Sequence, residues 1–147
     1  MRPFQRVHVD FLGPVRGKMF FILVDSFSKW VEIFPMAYTS ALNTVEKLRQ
    51  CFACFGLPDV IVSDNGPQFI SSEYKTFCKR NGINCLFSPP YKPQCNGAAE
   101  NAVKSFKSSL KKMLEDPLNR NSNLETLISR YLFFYRSSIH SSSRDSI

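Results

Sequence analysis

Three acidic side chains in this 147-residue chain have the type and placement to hold a divalent metal. Asp10 lies within an alternating apolar segment, Asp64 follows the apolar run VIV, and Glu100 comes one turn into a long helical pattern. They are separated by 53 and 35 intervening residues. Such a set assembles only if the fold brings two strand positions and a helix into one cleft. Three carboxylates within a few ångströms raise one another's pKa unless cations neutralise them, so a divalent ion is their natural occupant. Hard oxygen ligands favour Mg²⁺ or Mn²⁺. Two such ions about 3.5 to 4 Å apart can activate an attacking hydroxyl and stabilise the leaving oxygen of an in-line phosphoryl transfer. A plainer role is also open to Asp64: in SDNGPQF it can accept a backbone N–H and simply make an Asx-turn.

The elements that must position these acids are readable from periodicity and punctuation. Val7, Val9 and Phe11 alternate with His8 and Asp10, which predicts a strand stopped at Gly13-Pro14. FFILVDSF and WVEIFPM predict two more strands, completing an antiparallel meander. Ser40 can cap a helix from Ala41 to Phe55, on which Leu42, Val45, Leu48, Phe52 and Phe55 recur at helical spacing before Gly56 and Pro58 end it. DVIVSDN reads as a short strand buried on both faces. A helix over Ser72 to Arg80, a strand INCLFS, a loop PPYKPQ, a long helix from about Asn96 to Glu115 and a last helix over Leu124 to Arg136 follow. The expected fold class is α/β, a five-stranded mixed sheet with helices on both faces. Residues 1–140 form one domain in this reading, and the Ser-rich 141–147 is a frayed tail. Open sheets with helical crossovers place ligand sites where central strands end, and Asp64 stands at such an end.

Composition narrows the function classes. With 19 Lys and Arg against 12 Asp and Glu, the formal charge is +7, which favours a polyanionic partner such as nucleic acid. No apolar run approaches the roughly 18 to 20 residues that span a bilayer, so no membrane partner is expected. MRPFQRVHVD enters a strand pattern without an apolar secretory segment, and the expectation is an intracellular protein. Five cysteines, an odd number, then imply reduced thiols. Cys51 and Cys54 form a C-x-x-C that could be half a zinc site, but His8 and His140 stand apart and offer no second pair. Both thiols are expected to pack as small hydrophobes on the helix ending at Gly56.

The segments HVDFLGP, ILVDSFSKWVEIFPM, FGLPDVIVSDNGPQFIS and SPPYKPQCNGAAENAVKSFKSSLKKM resemble the integrase catalytic core of retroviruses and Gypsy-type LTR retrotransposons. The resemblance covers roughly residues 4 to 136 and implies a ribonuclease H-like fold. Asp10, Asp64 and Glu100 then correspond to the family's metal-binding catalytic triad, with two Mg²⁺ or Mn²⁺ ions as cofactors. The implied activity is that of a polynucleotidyl transferase: trimming of the 3′ ends of retroelement DNA by water, then attack of the freed 3′-hydroxyl on target DNA. Its partners would be both DNAs and further copies of the chain, in a homodimer or higher oligomer. The implied place of action is the nucleus, after import from the cytoplasm. The sequence departs from the family pattern at Lys92, where His usually precedes Pro93, at Asn101, often Arg, and in a tail without the usual prolines and glycine. Starting at the core, it is also expected to lack the family's zinc domain and DNA-binding domain.

The long helix has two stripes. Ala99, Val103, Phe106, Leu110 and Met113 form a face to pack on the sheet. Glu100, Lys104, Lys107 and Lys111 share the neighbouring stripe and are either a solvated face or a row of DNA phosphate contacts. In the preceding loop, the prolines can simply keep the chain extended. By the resemblance, Tyr91, Lys92 and Gln94 touch DNA. Asn96 is a candidate N-cap, and Asn65 either holds the turn beside the metals or touches DNA. Asp25 reads as a structural hydrogen-bonding residue. Glu46 would matter in a true ribonuclease H, but the late Asp that such an enzyme needs would be Asp116 or Asp145, neither well placed. An integrase-derived domain that binds nucleic acid or protein without catalysis remains the second functional class, separated from the first by divalent-metal binding. In the last helix, YLFFY is either core or an oligomer face.

Overall fold

The computed structural model describes residues 2–87 and 97–145, with side chains for 2–87 and 104–138. Its elements run β1 (Arg6–Val15), β2 (Lys18–Asp25), β3 (Val31–Met36), α1 (Ala41–Phe55), β4 (Val60–Ser63), α2 (Pro67–Ile70), α3 (Ser72–Arg80), β5 (Asn84–Phe87), α4 (Gly97–Glu115) and α5 (Leu124–Asp145). The five strands lie in the order β3-β2-β1-β4-β5. The first three pair antiparallel, while β4 joins β1 and β5 joins β4 in parallel. This is the mixed sheet expected from three consecutive strands followed by strands alternating with helices.

The period-two pattern sorts apolar residues onto two faces, and each face has its own helices. Val7, Val9, Phe21 and Leu23 pack with Val45, Leu48 and Phe52 of α1 and with Tyr74 and Phe77 of α3. Leu12, Phe20, Ile22, Val24 and Val31 pack with Phe106, Leu110 and Leu114 of α4 and Ile128 of α5. β2 is therefore buried on both sides, and each large side chain so buried contributes about 1.5–3 kcal/mol.

Gly13-Pro14 does not stop β1. The strand runs on to Val15, and the pair Leu12↔Phe20 is followed by Val15↔Lys18, a bulge in the register. Gly13 makes this possible: its φ is 124°, and a Cβ there would stand 2.9 Å from the Lys18 carbonyl oxygen. Pro14, with no N–H to give a ladder, is tolerated at such a bulge. The hairpin is tied down by Arg16, which donates to the main-chain carbonyls of Ser122 and Asn119 between α4 and α5.

Helix α1 has the expected bounds. The Ser40 hydroxyl accepts from the Asn43 amide at 3.2 Å, and the Gly56 amide closes the helix on the Phe52 carbonyl with φ at 85°. Four details depart from the pattern expected of the sequence. Leu42 sits on the apolar period yet is exposed. Cys51 is buried but Cys54 is exposed, so only one of the two thiols packs as a small hydrophobe. Burial pushes the Cys51 thiol up to about 12. The short α2 was not foreseen; Pro67 supplies the fixed φ of its first turn. At the other end, α5 does not stop at Arg136 but continues through the Ser-rich segment to Asp145. No helix among the described residues is long and apolar enough to cross a membrane.

Candidate active site

β1 and β4 run side by side in parallel, with the pairs Arg6↔Val60, Val7↔Ile61 and His8↔Val62. Asp10 stands two residues beyond His8 within β1, and Asp64 two residues beyond Val62, one past the end of β4. The parallel pairing thus directs acids with 53 intervening residues toward the same end of two neighbouring strands. The sheet pleat sends Val7 and Val9 to the α1–α3 face and turns Asp10 the other way, toward α4.

The surroundings of the two carboxylates differ. Asp10 is three-quarters buried. Its Oδ1 accepts the Phe11 amide at 2.8 Å and its Oδ2 accepts the Lys107 ammonium of α4, also at 2.8 Å. Asp64 is exposed, and its Oδ1 accepts the Gly66 amide at 2.8 Å, an Asx-turn leading into α2. The simple structural role considered for Asp64 is therefore present on an exposed side chain. Gly66 suits this turn because a Cβ there would lie 2.9 Å from Asp64 Oδ1.

Of the remaining expected site residues, Asn65 is exposed beside Asp64, and Lys104 and Lys111 are exposed on α4. Lys107 is not on the open helix face but turned inward onto Asp10. Glu100 lies on α4 two turns before Lys107, and its side chain is outside the described residues, as are those of Ala99 and Val103. Tyr91, Lys92, Gln94 and Asn96 also lie outside them. On the apolar stripe, Phe106 and Leu110 are buried and Met113 packs at the margin, as the spacing requires.

The competing carboxylates have structural work of their own. Asp25 is fully buried, and its two oxygens accept the amides of Phe4, Phe27 and Ser28 and the Ser28 hydroxyl. Glu46 lies on the solvent side of α1, 60% exposed and paired with Arg49 at 2.9 Å. Asp116 caps a 3-10 turn by accepting the Leu118 amide. Among the described residues no three His, Cys, Asp or Glu side chains form a metal-holding group.

One pairing escaped the sequence reading. Arg136 stacks over the Trp30 ring at 3.8 Å and donates to Glu32 at 3.0 Å and to the Val31 carbonyl at 2.6 Å; Trp30 Nε1 donates to the same Glu32 oxygen at 2.7 Å. Burial lowers the pKa of Arg136, which Glu32 partly counteracts. The cluster fastens α5 to the edge strand β3. Its only sequence sign was an Arg ending an aromatic run.

Residues 1–93 match the model of the integrase core domain. This chain belongs to the integrase core domain family. It is 34% identical over 140 residues, 95% of its length, to the uncharacterized protein K02A2.6 of Caenorhabditis elegans, and 34% identical over 117 residues, 76% of its length, to the Pol polyprotein of Radiation murine leukemia virus. It spans only 11% and 20% of those two relatives. Among solved structures, this integrase core matches a simian T-cell lymphotropic virus intasome in complex with the PP2A regulatory subunit B56 gamma. The TM-score is 0.71 at 25% identity, covering 89% of this chain and 48% of that one. The HTLV-2 integrase catalytic core in complex with magnesium matches with a TM-score of 0.67 at 24% identity, covering 90% of this chain and 86% of that one. The ribonuclease H-like sheet expected from the sequence is the fold of these neighbours.

Proposed function

We propose that this integrase core is a divalent-metal-dependent polynucleotidyl transferase that processes the 3′ ends of retroelement DNA and joins them to target DNA. The observation that carries the reading is the placement of Asp10 and Asp64 beyond the paired residues His8 and Val62 of two parallel strands. Asp10 is already matched with a cation: the Lys107 ammonium on its Oδ2 marks the spot as one where positive charge is stable. Hard carboxylate oxygens at such a spot suit Mg²⁺ or Mn²⁺, and magnesium accompanies the HTLV-2 core. Asp10, Asp64 and Glu100 would hold two ions. When bound, such a pair supplies Lewis-acid activation of the attacking oxygen and neutralises charge on the leaving one.

The chain's own residues then bind and orient. Lys104 and Lys111, exposed on α4, hold the phosphate backbone by charge, helped by Lys107, Asn65, Tyr91, Lys92 and Gln94. Binding of this kind is salt-dependent. Self-association would use the outer face of α5, where Phe133 and Phe134 are 78% and 75% exposed while Tyr131, Leu132 and Tyr135 pack inward. The site of action in this reading is the nucleus. Disintegration of branched DNA with Mn²⁺ tests the enzyme: the wild-type chain is expected to resolve the branch and Asp64→Asn to fall to background. Equal background for both would end the catalytic reading and leave a nucleic-acid-binding domain.

A further inference from the structure

The contact between Lys107 and Asp10 links the two halves of the site. Nζ lies 2.8 Å from Oδ2, and the two side chains are only 27% and 28% exposed. The anion is a strand residue whose other oxygen is fixed by the Phe11 amide. The cation sits on a flexible four-carbon stem on α4, between the exposed Lys104 and Lys111 of one helical stripe. A rigid anion with a movable cation is an arrangement in which the cation can be exchanged.

We propose that Lys107 is a built-in counter-ion for Asp10, exchanged for the divalent metal and thereby released to a nucleic-acid phosphate, so that metal and DNA binding favour one another. The inference rests on the metal-binding reading above. A metal ion and the ammonium compete for the same carboxylate oxygen, so metal-free protein keeps Asp10 neutralised and its lysine occupied. Once displaced, the ammonium can swing to its stripe, where Lys104 and Lys111 are already open to solvent. Linkage requires the effect to be reciprocal: DNA that draws Lys107 away leaves Asp10 with more affinity for metal. A half-buried pair of this kind is expected to hold back metal affinity by about three- to tenfold.

Calorimetric titration of the whole chain with Mn²⁺, without DNA, measures the competition. Lys107→Met is expected to bind Mn²⁺ about three- to tenfold more tightly than wild type, and Lys104→Met, which removes the same charge one turn away, to change affinity less than twofold. Acylation of lysines, read by mass spectrometry, provides a second measurement that leaves Lys107 itself in place. Mg²⁺ is expected to speed labelling of Lys107 relative to Lys104, and Asp10→Asn to do so without Mg²⁺. Unchanged Mn²⁺ affinity in Lys107→Met, or equal gains in both lysine variants, would overturn the exchange while leaving the metal site standing, as would Lys107 labelling indifferent to Mg²⁺. Absence of Mn²⁺ binding in the wild type would overturn both the exchange and the proposed function.

Discussion

Asp64 has a structural task besides its proposed chemical one, since it holds the turn through the Gly66 amide. Asn keeps an acceptor oxygen at the same position, so Asp64→Asn is expected to melt within about 2 °C of wild type. Disintegration should nevertheless fall by roughly two orders of magnitude or more, because a neutral amide is a poor ligand for a hard cation. Cys51 gives a second residue-scale test. Its thiol titrates near 9.0 when exposed and is pushed up to about 12 in the fold. Between those values the unfolded chain has lost a proton that the folded chain keeps, so stability is full below pH 9 and declines as pH rises toward 12. Urea unfolding at stepped pH checks this, and Cys51→Ala should show a shallower decline. The strand position of Asp10, the turn at Asp64 and the structural role of Asp25 could be read from sequence because strand alternation and turn residues announce them. The inward turn of Lys107 could not, since helical spacing gives a stripe and not its neighbour across the sheet.

At the scale of elements, two joints have no counterpart in periodicity. The first is the bulge at Gly13, where the left-handed backbone and the nearby Lys18 carbonyl leave no room for a side chain. Gly13→Ala should cost about 1–3 kcal/mol, measured by urea unfolding. The second is the attachment of α5 to β3 through Arg136. Arg136→Met keeps much of the packing over Trp30 but leaves the Glu32 carboxylate with the Trp30 Nε1 donor and no countercharge; it is expected to cost about 1–3 kcal/mol by the same measurement. α5 also illustrates why helix ends are hard to read. Ser residues have modest helix propensity and suggested fraying, yet neither Gly nor Pro interrupts residues 124–145. Its outer face predicts an assembly: if Phe133 and Phe134 mediate self-association, replacing both with Asp should give a monomer by light scattering with the melting temperature nearly unchanged.

Across the whole molecule, the formal charge of +7 would govern the proposed association with DNA. Affinity should fall linearly on a log–log plot against salt, and replacing Lys104 or Lys111 with Gln should reduce the slope by about one unit each, measured by fluorescence anisotropy. The mixed sheet was foreseeable because an antiparallel meander followed by βα units admits few topologies. Its strand order, with β4 added beside β1 rather than beside β3, emerges only from the three-dimensional fold. That placement also has a consequence for biosynthesis. β1 leaves the ribosome long before β4, and a contact across 53 intervening residues closes late. A growing polypeptide therefore carries Asp10 for much of its synthesis before the segment that ends in Asp64 can pair beside it.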